Sequence, residues 1–136
     1  MRVLVFGGGG MLARAVVREW RHRDEAVGVG GRLEGRVELG EGAVVENSLV
    51  RGPAIIGRGA RLENAFVGPY TSIGDGCTLA SCEIENSIVL AGSEIRDIGT
   101  RIDGSLVGRN VKIARTDSKP KAYRFMLGDN SEVDIT

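Results

Sequence analysis

The chain has 136 residues, 18 basic and 18 acidic side chains and a formal net charge of zero; its length suits one compact domain, or one small domain with an appendage, and excludes two full enzyme domains. The charge balance argues against a nucleic-acid groove, which needs a clear basic excess. No apolar run reaches the roughly 20 residues that cross a bilayer, and Met1 to Phe6 runs into glycine too soon for a signal peptide, so no membrane segment and a cytoplasmic location are expected.

In chain order, Arg2 to Phe6 reads as a buried strand, Gly7 to Gly10 as a turn, and Met11 to about Arg23 as a helix with Leu12, Val16 and Trp20 on one face. Ala26 to Gly30 reads as a second strand, so residues 1–32 form a short β-α-β unit, a truncated Rossmann-like segment. Gly8-x-Gly10-x-x-Ala13, or equally Gly7-x-x-Gly10-x-x-Ala13, has the spacing that lets backbone amides and a helix N-terminus approach a pyrophosphate. Gly7, Gly8, Gly10 and Ala13 are therefore the candidate cofactor contacts, with Arg32 placed to meet an NADP phosphate. The alternative reading of the same glycines is a tight turn in a structural remnant. Gly7 to Arg14 resembles the start of the dTDP-4-dehydrorhamnose reductases, with departures at Phe6 and Ala13, and that resemblance implies NAD(P) or a nucleotide as ligand. Their Tyr-x-x-x-Lys pair is missing, since Tyr70 is followed four residues later by Gly74 and Tyr123 by Leu127.

From Leu39 onward the sequence repeats every 17 residues. Leu39-Gly40-Glu41-Gly42, Ile56-Gly57-Arg58-Gly59, Ile73-Gly74-Asp75-Gly76 and Val107-Gly108-Arg109-Asn110 share one pattern, and Leu90 stands at the remaining multiple of 17. Within a period the aliphatics are spaced 6, 5 and 6, as in Leu39, Val45, Val50 and Ile56. That spacing fits neither a helix nor one long strand; it fits three short strands per coil. Small residues recur at the corners: Ala43, Ala60 and Cys77; Ser48, Ala65 and Cys82; Ala54, Thr71 and Ser105, with Ile88 as a bulky exception. The expected architecture is a triangular parallel prism with an aliphatic column inside, over residues 33–136. An antiparallel barrel with glycine-rich turns would not hold one register through five copies.

These coils resemble the hexapeptide-repeat proteins, and the resemblance implies a left-handed parallel β-helix. Ile55 to Asn64 and Val67-Gly68-Pro69-Tyr70-Thr71-Ser72-Ile73-Gly74-Asp75-Gly76 are similar to the C-terminal β-helix of long-form glucose-1-phosphate thymidylyltransferases and related sugar-nucleotide pyrophosphorylases. Pro120 to Arg124 and Leu127-Gly128-Asp129-Asn130-Ser131 extend the likeness. It implies a structural role in subunit assembly, a homo-oligomer formed through the β-helix faces, and a sugar nucleotide or nucleotide as the associated ligand, without the family's catalytic domain.

No catalytic or metal-binding residue is expected. A hexapeptide acyltransferase is the alternative enzyme, but its base is a histidine on a coil, and the sole histidine, His22, falls on the predicted N-terminal helix. Cys77 and Cys82 read as reduced thiols in small spaces. Arg115 to Arg124 reads as a basic surface excursion, after which Leu127 and Val133 resume the coil spacing.

Overall fold

A computed structural model describes residues 27–136, together with the short strands Leu4–Val5 and Ala15–Val16. Its folding logic begins at the corners. Left-handed backbone recurs at all three: Gly42, Gly59, Gly76, Gly92 and Asn110 at one, Asn47, Asn64, Ser81 and Asp97 at another, and Gly35, Tyr70, Asn86 and Gly104 at the third. Positive φ costs an ordinary L-residue roughly 1–2 kcal/mol and glycine little, with asparagine and aspartate in between. The Gly and Asn period of the sequence is thus the period of the bends.

Between corners run strands of two or three residues, stacked as three parallel five-stranded sheets. The first face stacks Arg32–Glu34, Leu49–Arg51, Phe66–Val67, Glu83–Glu85 and Ile102–Asp103. A second face stacks Val37–Leu39, Ala54–Ile56, Thr71–Ile73, Ile88–Val89 and Leu106–Val107. The third stacks Val44–Glu46, Arg61–Glu63, Thr78–Ala80, Glu94–Arg96 and Lys112–Ala114. The expected parallel prism with coils of about 17 residues is the fold. Each face sends one aliphatic column inward, for example Val45, Leu62, Leu79 and Ile95 on the third, all without solvent exposure. Burying each such side chain contributes about 1.5–3 kcal/mol, so the columns supply most of the stabilisation.

One register differs from the expectation. The second-face column runs Leu39, Ile56, Ile73, Val89 and Val107, and Leu90 lies outside it, 38% exposed. In the same slip, Ser87 takes the small buried position beside Thr71, and Ile88 points outward opposite Ser72. The cause is local. Val67 to Ile73 takes six residues around the corner through Gly68, Pro69 and Tyr70, whereas Ile84 to Val89 takes five, with Asn86 alone in the left-handed region. A strand shifted by one residue exchanges its inner and outer side chains. The missing residue is restored at the corner from Ile95 to Ile102, which is seven residues long. A 16-residue coil is followed by one of 18, and the sum of 34 conceals both.

Buried hydroxyls join successive coils at the corners. Ser48 Oγ donates to Glu46 O and accepts from Ala65 N–H at 3.0 Å; Ser87 Oγ donates to Glu85 O and accepts from Ser105 N–H at 2.9 Å. Ser93 Oγ donates to Gly108 O and accepts from Val111 N–H. Each stands at a small corner position and matches a main-chain amide that would cost about 1–3 kcal/mol if buried unpaired.

At the N-terminal end the expected helix from Met11 to Arg23 lies outside the described residues, apart from Ala15–Val16. Those two are extended and pair antiparallel with Leu4–Val5. Nine residues separate the two strands, fewer than the dozen or so that a parallel crossover requires. Of the second strand expected at Ala26 to Gly30, Ala26 lies outside the described residues, and Val27 to Gly30 hold a single parallel bridge, between Val27 and Val45, which carries coil-type pairing back to Val27. At the other end the expected resumption of the coil at Leu127 does not occur. Residues 114–136 are exposed throughout, and none beyond Ala114 joins a strand. After Ile113 the next inward position of the spacing falls at Ser118 or Lys119, so no aliphatic is available to begin another coil.

Candidate functional site

Because the interior is filled by side chains, anything the prism does must happen on its outer faces, its corners or its ends. The first face is charged and self-paired. Glu34 receives hydrogen bonds from Arg32 at 2.9 Å and from Arg51 of the next coil at 3.0 Å. Arg101 donates to both Glu83 and Glu85, at 2.9 and 3.1 Å. Two guanidinium groups lie over the Phe66 ring, Arg101 5.0 Å and Arg51 5.8 Å from its centroid. Its neighbour two residues on is Gly68, where an added Cβ would lie 3.0 Å from the ring. The hydrogen bond from Arg101 to Glu83 is the largest influence raising the arginine's pKa above its ordinary value.

The third face repeats the theme, with Arg61 beside Glu63 and Arg96 donating to Glu94. Its second-face counterpart differs in kind: the outward positions, in register, are Glu38, Ile55, Ser72, Ile88 and Leu106. Among the described residues, no ion pair lies on that face.

An open groove of about 470 Å³ follows the corner between the third and first faces. Along it Asn47 donates to Asn64 Oδ1 at 3.2 Å and Asn64 donates to Ser81 Oγ at 3.3 Å, with Arg32, Glu83 and Ile98 at the rim. The amides spend these donors on one another, holding left-handed corners in line from coil to coil. The groove offers neither a nucleophile next to a base nor converging carboxylates.

Of the residues singled out from sequence, Gly7, Gly8, Gly10 and Ala13 lie outside the described residues. Arg32 sits on the first strand of the β-helix, and its guanidinium is engaged by Glu34. His22 also lies outside the described residues, so the described β-helix has no imidazole for acyl-transfer base catalysis. Among the described residues, no group of three or more His, Cys, Asp or Glu side chains could hold a metal, and no helix is long and apolar enough to cross a membrane.

Both thiols are buried and free. Burial pushes the Cys82 thiol up to about 11 and raises that of Cys77 as well. Thiolate is the reactive form, so neither is a nucleophile at neutral pH. Native protein at pH 8 is expected to leave both thiols unmodified by a disulfide-exchange reagent, and unfolding in urea to release two per chain. The pH dependence has a definite sign: unfolded Cys82 ionises near pH 9 and folded Cys82 near pH 11, so stability is lost as pH rises through that interval. Cys82→Ala should remove this component of the loss, as read by urea midpoints at pH 8 and above pH 10. Alanine already stands in the same corner position at Ala65.

What sequence reasoning missed is the outward apolar column of the second face. A signal was present in Ile55-Ile56 and Ile88-Val89: two adjacent aliphatics in one strand cannot both point inward.

Comparison with known proteins agrees with the geometry. The chain's C-terminal region is 50% identical over 101 residues to a glucose-1-phosphate thymidylyltransferase of Streptomyces antibioticus, covering 74% of this chain and 28% of that protein. It is 45% identical over 104 residues to a glucose-1-phosphate thymidylyltransferase of Streptomyces griseus, covering 76% of this chain and 29% of that one. The chain thus spans under a third of the length of the curated relatives it matches. Neither relative supports the reductase resemblance of the first 32 residues. No protein-family profile matches the chain, and no solved structure matches it.

Proposed function

We propose that this chain provides the β-helix module of a glucose-1-phosphate thymidylyltransferase-like sugar nucleotidyltransferase, acting in the assembly of subunits and not in nucleotidyl transfer itself. The observation that carries the reading is the 50% identity over 101 residues, found in the region that folds as the prism. Physical chemistry supports it. Nucleotidyl transfer needs a phosphate cradle and carboxylates for magnesium, whereas the described faces present self-paired ions and one apolar column. Sugar nucleotide or nucleotide chemistry would belong to the part of such enzymes that this chain does not match. A flat, regular prism instead suits contact between copies, and a homo-oligomer in the cytoplasm, where nucleoside triphosphates are available, is the state we assign.

The test has two readouts. Incubating the chain with dTTP, glucose-1-phosphate and magnesium is expected to give no dTDP-glucose, and sedimentation is expected to show an oligomer. Turnover by the chain would overturn the separation of assembly from chemistry. A monomer at every attainable concentration would overturn the assembly role.

A further inference from the structure

Two sets of exposed apolar side chains are left over by the fold. On the second face Ile55, Ile88 and Leu106 lie in register, 47%, 48% and 73% exposed, on the one face without ion pairs among the described residues. Beyond the last strand, Tyr123, Phe125, Met126, Leu127, Val133 and Ile135 are all exposed, Met126 to 90%. Two such sets on one small chain exceed what scattered surface residues would give.

The second set belongs to a segment with a defined shape. Leu127-Gly128-Asp129-Asn130 repeats Val107-Gly108-Arg109-Asn110, and Asn130 has φ +59° where Asn110 has +55°. The bend of a coil is therefore formed where no coil of its own chain lies beneath it. Among the described residues, the last main-chain hydrogen bond to the prism is Arg115 N–H to Arg96 O, at 3.2 Å.

We propose that residues 119–136 of one copy lie along the Ile55–Ile88–Leu106 face of a second copy, so that assembly proceeds by exchange of C-terminal arms. This rests on the assembly role proposed above and names its surface. The occupant is a second copy because the chain leaves its own face and its own arm exposed and apart, and the two are alike in being apolar. Charge is compatible at one end: the column ends at Glu38, and the first part of the arm carries Lys119, Lys121 and Arg124, while Asp129, Glu132 and Asp134 in its last part make the arm neutral as a whole. Reach agrees too. Eighteen extended residues at roughly 3.3 Å each cover about 60 Å, well beyond a five-coil stack with strands about 4.8 Å apart.

Sedimentation of the whole chain, of Leu106→Asp and of a chain ending at Thr116 tests the surface. Both alterations are expected to weaken association at least tenfold while the urea transition of the prism is kept. Disulfide trapping tests the exchange in a Cys77→Ala, Cys82→Ala background, with Leu106→Cys in one tagged chain and Leu127→Cys in another. A covalent dimer joining the two tags supports the proposal. If Leu106→Cys and Leu127→Cys in the same chain link only within that chain, the arm covers its own face and the proposal is overturned. If the whole chain assembles but only Phe66→Asp, on the first face, dissociates it, assembly survives and this surface does not. A whole chain that never assembles ends both readings.

Discussion

Replacing Val89 with aspartate is expected to lower stability by about 4 kcal/mol or more, while the same replacement at Leu90 is expected to shift it by less than about 1 kcal/mol. Val89 is 1% exposed and stacks between Ile73 and Val107 in the second-face column. A carboxyl group there loses the valine's burial and finds no cation inside the prism. Such losses come to about 4 kcal/mol or more, against a total stability of about 5–15 kcal/mol for an ordinary domain. Leu90 lies past the end of its strand, and its main-chain bonds, Leu90 N–H to Val107 O and Leu90 O accepting from Cys77 Sγ, do not depend on its side chain. Far-ultraviolet circular dichroism and urea unfolding of the two variants decide the matter. A strict 17-residue period predicts the reverse order, since it places position 90 inside, so the pair tests the register directly.

Gly57→Ala should lower the unfolding free energy by about 3 kcal/mol, and Gly59→Ala by about 1 kcal/mol or less, although the two glycines stand in one corner. A Cβ on Gly57 would lie 2.6 Å from the main-chain nitrogen of Asp75 in the next coil. Relief requires the coils to separate where Gly57 N–H donates to Ile73 O and Arg58 N–H to Asp75 Oδ1, both at 2.8 Å. At Gly59 an added Cβ meets nothing within 4 Å, and only the left-handed φ of +65° opposes it. Part of that strain is offset by the lower entropy of the unfolded alanine chain. Urea midpoints at unchanged m-value measure both. Equal effects at the two positions would mean that backbone strain, and not contact between coils, fixes the corner glycines.

The candidate site was less legible than the fold. Periodic aliphatics and corner glycines announce a prism because each coil must repeat the same inward position and the same bend. Nothing comparable marks an outward residue, which is free to vary: Ile55 and Ile88 are inconspicuous until pairing sets them in one column with Leu106. Arg32 shows the opposite error. Its place after a glycine-rich opening suggested a phosphate contact, but strand pairing with Leu49 sets it on the first face beside Glu34, which takes its charge. The resumption expected at Leu127 matched the motif but lacked the strand-forming residues that should have preceded it.

By itself the sequence determined the coil: three short strands, left-handed bends at Gly and Asn, an aliphatic column, small residues at corners and a likeness to thymidylyltransferases carried by those same repeats. These are local or strictly periodic properties, set by φ preference and hydrophobic spacing. Tertiary structure alone decided which of two adjacent aliphatics faces inward, because a corner shortened at Asn86 and lengthened after Asp97 leaves the overall period intact while shifting the two strands between them by one residue. It alone decided, too, that one face bears apolar side chains and the other two bear paired ions, since that distinction exists only once residues 17 apart are stacked.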